Sequence, residues 1–156
     1  MKFFDAPVDT DIHDFVVLPR PKANLVFKVV PVTDFSLFDS ICPLPKPGFI
    51  QRKGKAAEPD LEEPGFKVKQ MEYATKRLSF IVIKSLEQTD GLTWDTVVMD
   101  KPETWSNYMT EFKDARLNDS EIKLIIEACL QINGLDDAKI KAAREDFLAG
   151  RTTQLN

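Results

Sequence analysis

The sequence predicts an α+β fold, a small N-terminal β segment followed by a mainly helical domain ending in a helical hairpin. Three observations carry this. Apolar residues alternate with a period of two only before residue 33. After residue 66 they recur at helical steps of three and four. Between the two patterns lies a stretch rich in proline and glycine that suits neither period. Period two lines one face of a strand and period 3.6 lines one face of a helix, so the switch marks a change of element type.

The β segment comes from "DFVVLP" and "NLVFKVVPV" within residues 14–32, separated by "RPKA". They read as two short strands or one hairpin, with Pro31 ending or edging the second. In the second run Leu25, Phe27 and Val29 make one wholly apolar face, while Lys28 lies on the other. "TDFSLFDSI" follows, with Thr33 or Asp34 as an N-cap and Phe35, Leu37, Phe38 and Ile41 as the apolar positions of a short helix.

Prolines at 43, 45, 47, 59 and 64, with glycines at 48, 54 and 65, then force an extended backbone, because the residue before proline avoids the helical region. A connection this long is expected to be functional or mobile. Residues 46–65 are accordingly the expected mobile strap. It reads as an extended strap over the core, with a polyproline-type ligand as the other option.

The longest helix is expected over Phe66 to about Glu87, with Val68, Met71, Thr75, Leu78, Val82 and Ser85 as its inward stripe. "LSFIVIKSL" is apolar nearly all round, so this C-terminal half should be the most buried element. "TDG" breaks the chain, "LTWDTVV" forms a short extended or helical piece, and Pro102 opens the next helix. There Trp105, Tyr108, Met109 and Phe112 fall on one face. Asn118 with Glu121 three residues later is a capping-box pattern, and Ile122, Ile125, Ile126 and Cys129 form the stripe behind it. Asn133-Gly134 ends that helix, Leu135 staples the corner, and Asp136 caps a last helix with an expected inward face of Ile140, Ala143, Phe147 and Leu148. The organisation is then an N-terminal extension (1–13), one α+β domain (14–148, including the strap at 46–65) and a flexible tail (149–156).

Composition narrows the function. The chain has 156 residues, enough for one domain to bury a sizeable core without metal or disulfide. No apolar run approaches the ~20 residues of a membrane span, and the opening "MKFFDAPVDTDIHD" has no signal-peptide core, so the expectation is a cytoplasmic protein without a membrane partner. Residues 46–84 carry nine basic and five acidic side chains, residues 85–156 eight and fourteen. An acidic helical half argues against nucleic acid, whose binding needs clustered Lys and Arg. Cys42 and Cys129 read as buried reduced thiols and His13 as a surface imidazole. No phosphate loop, dinucleotide glycine pattern or histidine pair is present. The adjacent acids Asp136-Asp137 and Glu62-Glu63 sit where capping or solvation explains them. The expectation is a non-enzyme with no catalytic residue, cofactor or metal.

The aromatic set Trp94, Trp105, Tyr108 and Phe112 is the most informative cluster. Core packing is one reading. The other is that Trp105, Tyr108 and Phe112 border a groove for an apolar partner helix, with Ile125 and Cys129 in the core behind it.

Taken in order, "VTDFSLFDSICPLPKPG", "LSFIVIKSL", "LTWDTV", "PETW" and "LNDSEIKLIIEACLQINGLDDAKIKAAREDFL" resemble the tail assembly chaperones of long-tailed bacteriophages and related prophages. The resemblance covers roughly residues 24–148. It implies a small non-catalytic protein, resident in the cytoplasm of the bacterial host. Such a protein binds and solubilises the tape measure protein, helps recruit tail tube subunits and leaves before the virion matures. The partners implied are the tape measure protein and the tail tube protein, with self-association a further option. The alternative is a structural virion protein: a neck, tail-completion or decoration subunit. A general host-directed interaction module is a third reading.

Overall fold

The structure is a computed structural model and describes residues 2–3, 6–7, 11–134 and 137–150. The protein is α+β. Its order is β1 (Lys2–Phe3), β2 (Ala6–Pro7), β3 (Asp14–Leu18), β4 (Leu25–Val29), α1 (Ser36–Ile41), β5 (Phe49–Ile50), β6 (Glu58–Pro59), α2 (Pro64–Ser85), a 3-10 turn (Pro102–Thr104), α3 (Asn107–Asp114), α4 (Asp119–Ile132) and α5 (Asp137–Leu148). The strands pair as three antiparallel ribbons, β1-β2, β3-β4 and β5-β6.

The β3-β4 hairpin places Val16 opposite Phe27 and Leu18 opposite Leu25. Val16, Leu18, Phe27 and Val29 are buried, while Phe15, Val17 and Val26 point outward and are exposed. The apolar alternation thus selects the face that meets α4, which packs on both strands and on α2. The hydroxyl of Thr89 donates to the Lys28 carbonyl and accepts from the Lys28 N–H, both at 3.0 Å, closing one sheet edge at that residue. The small β5-β6 ribbon was not expected. It spans two residues per strand, too few to show a period, and is turned by Gly54 at φ +79°.

The long helix starts two residues earlier than expected because Pro64 takes the first helical position, where its missing N–H costs nothing. Its C-terminal half is the centre of the core: Phe80, Val82 and Leu86 are inaccessible to solvent. Its N-terminal half corrects the expected stripe. Phe66 is buried, but Val68 and Thr75 are exposed and Met71 is 72% exposed, on the side that borders an open cavity beside Pro102.

α1 begins at Ser36 with Phe35 at the N-cap and no side-chain cap, so neither Thr33 nor Asp34 is the cap expected; the Asp34 carboxylate instead accepts from the Ser36 N–H at 2.8 Å in a local turn ahead of the helix. The capping box is present: Asn118 Oδ1 accepts from the Glu121 N–H (2.9 Å) and Glu121 Oε2 accepts from the Asn118 N–H (3.0 Å). α3 ends in a Schellman arrangement, with the Leu117 N–H donating to the Phe112 carbonyl. Arg116 takes the left-handed position at φ 62°, where glycine is the usual residue. Gly134 has φ +72° and closes α4. The expected staple at Leu135 and cap at Asp136 lie outside the described residues, as does 151–156 of the expected tail.

α5 overturns the expected inward face of the hairpin. Ile140 is 55% exposed, Phe147 74% and Leu148 70%, and Ala143 is exposed as well. The buried stripe of α4, Ile122, Ile125 and Cys129, is already covered by the β3-β4 hairpin and α2.

Candidate interaction surface

Trp105, Tyr108 and Phe112 are positioned by the 3-10 turn and α3, which place them one helical turn apart on the face toward α2 and the hairpin. Their solvent accessibilities are 0%, 4% and 2%, so all three belong to the core, and only Phe112 also contributes to the wall of a surface cavity, beside Trp94. Trp105 stacks on Phe38 (5.9 Å between centroids) and meets Phe80 (5.3 Å). Tyr108 meets Phe112 edge-on at 5.8 Å, and Phe112 meets Phe27 edge-on at 6.0 Å. These rings tie α1, α2, α3 and β4 into one cluster, and such pairs add about 0.5–1.5 kcal/mol beyond burial. The physical reason for the correction is size: aromatic side chains are the largest apolar groups in the chain and remove the most surface from water when packed together.

Ile125 and Cys129 are fully buried, as expected. Burial pushes the Cys129 thiol up to about 12, which leaves it protonated and unreactive at neutral pH. Burial raises Tyr108 and Cys42 too. The Trp105 indole nitrogen is buried and finds no hydrogen-bond acceptor among the described residues. No group of three or more metal-ligating side chains occurs among the described residues. No helix among them is long and apolar enough to cross a membrane.

Three polar clusters hold this core in register. Asn133 donates to the Ser85 hydroxyl (2.9 Å) and the Cys129 carbonyl (2.7 Å), and its Oδ1 accepts from the Val32 N–H (2.8 Å). One side chain therefore joins the end of α4 to the end of α2 and to the segment after β4. At the other end of α4, Arg20 forks onto Glu121, Nη1 to Oε1 at 2.6 Å and Nη2 to Oε2 at 3.0 Å. That fork, with the Asn118 N–H, holds the Glu121 carboxyl below the usual carboxylate range. On α3, burial pushes Glu111 upward, but bonds from the Thr96 hydroxyl and the N–H groups of Asp95, Thr96 and Val97 outweigh it and lower its pKa. Glu111 thereby pins the 95–97 segment over the aromatic cluster.

What remains open is apolar surface. The outer face of β3-β4 presents Phe15, Val17 and Val26. A cavity of about 440 Å³ lies between α2 and the 3-10 turn, lined by Val68, Met71 and Pro102 among others. α5 presents Ile140, Phe147 and Leu148. Sequence reasoning assigned Val68, Met71 and the α5 residues to the interior, because periodicity gives a face without its environment. The three-and-four spacing was the signal that could have found them.

The fold and these surfaces define a class: a small α+β protein with a polar-latched aromatic core and several uncovered apolar faces, one of them on α5. Comparison with protein-family models, with curated proteins and with solved structures finds no match.

Proposed function

We propose that this chain is a non-catalytic tail assembly chaperone of a long-tailed bacteriophage or prophage. It acts in the cytoplasm of the bacterial host, where it binds and solubilises the tape measure protein and helps recruit tail tube subunits. The resemblance across residues 24–148 supports the family. The observation that carries a binding role is α5, whose Ile140, Ala143, Phe147 and Leu148 recur at helical spacing on a helix with every described side chain exposed. Helix-in-groove recognition uses anchors at such spacing, and a client rich in apolar helix faces is the partner it suits. The binding face is accordingly placed on α5, and Trp105, Tyr108 and Phe112 become its rigid support.

Co-expression with a tape measure protein tests the reading. The wild-type chain should keep that client in the soluble fraction. The double variant Ile140→Asp, Phe147→Asp should melt like the wild type and lose the client. Retained solubilisation by a folded double variant removes α5 from the role. Mass spectrometry of purified virions separates the alternative: a structural neck, tail-completion or decoration subunit stays in the particle, whereas a chaperone does not.

A further inference from the structure

We draw no further inference here: the strongest candidate, the apolar groove between the N-terminal half of α2 and the 3-10 turn, is an unpartnered face whose rim charges, Glu72 and Glu103 against Lys76, select no occupant, and nothing in the structure shows what covers it.

Discussion

α4 and α5 are neighbours in sequence and alike in local chemistry, yet they meet opposite fates. Each carries an apolar stripe at helical spacing. Each has a Lys–Glu pair four residues apart on its surface, Lys123–Glu127 at 3.6 Å and Lys141–Glu145 at 4.0 Å. α4 is pressed between the β3-β4 hairpin and α2, with Ile125 at 0% accessibility. α5 leaves Ile140 more than half exposed. Amphipathicity therefore states that a face needs a partner; it does not state that the same chain supplies one. In α4 the stripe contributes to folding. In α5 it stays exposed.

A matched substitution separates the two helices most sharply. Ile125→Ala should destabilise by about 2–5 kcal/mol, the range for emptying a packed aliphatic site. Ile140→Ala should change stability by no more than about 0.5 kcal/mol, as at a surface position. Urea unfolding of both variants measures the contrast. Equal losses would mean that α5 is packed in solution and would end its assignment as an uncovered helix.

The latch at the end of α4 comes next. Asn133→Ala should cost about 1–3 kcal/mol, since it strands the buried Ser85 hydroxyl and the half-buried Val32 N–H. Asn118→Ala should cost about 1 kcal/mol through loss of the N-cap. Either result near zero would show that α4 is held by packing alone.

Acid should weaken α4's attachment by a predictable route. Glu121 has a folded-state pKa below its unfolded value. Its contribution is fully present above the unfolded pKa, near 4.3 for an ordinary glutamate, and is lost as pH falls through the folded value. Arg20→Met should leave the neutral-pH fold intact and make the acid limb of a stability-pH curve shallower. An unchanged acid limb would show that the fork adds nothing beyond the capping box.

The smallest effect is expected where α3 ends. Arg116→Gly relieves a left-handed residue that carries a Cβ, worth about 1–2 kcal/mol. Glycine's larger loss of freedom on folding offsets roughly 0.5–1 kcal/mol of that. A net gain of up to about 1 kcal/mol should appear as a higher unfolding midpoint, and a loss would show that the Arg116 side chain has a stabilising contact.

Much of the fold was legible because its signals are local. The β3-β4 alternation, the break at Gly91, the capping box at Asn118 and Glu121, and the left-handed Gly134 each depend on a few adjacent residues and their backbone preferences. The candidate site was less legible. Trp105, Tyr108 and Phe112 have the composition of a binding surface and of a core alike, and only Phe27, Phe38 and Phe80, distant in sequence, settle it by packing on them.

By itself, then, the sequence determined the β3-β4 hairpin and the main helices, where α4 starts and stops, and which side of those elements is apolar; the β5-β6 ribbon and the 3-10 turn ahead of α3 were beyond it. The tertiary structure alone decided which apolar sides are covered. Met71 and Phe147 stand at the same kind of helical position as Val82 and Ile125, but the first two are exposed and the last two are fully buried. Burial is a relation between elements far apart in the chain, and a periodic pattern describes only one of the two surfaces that must meet.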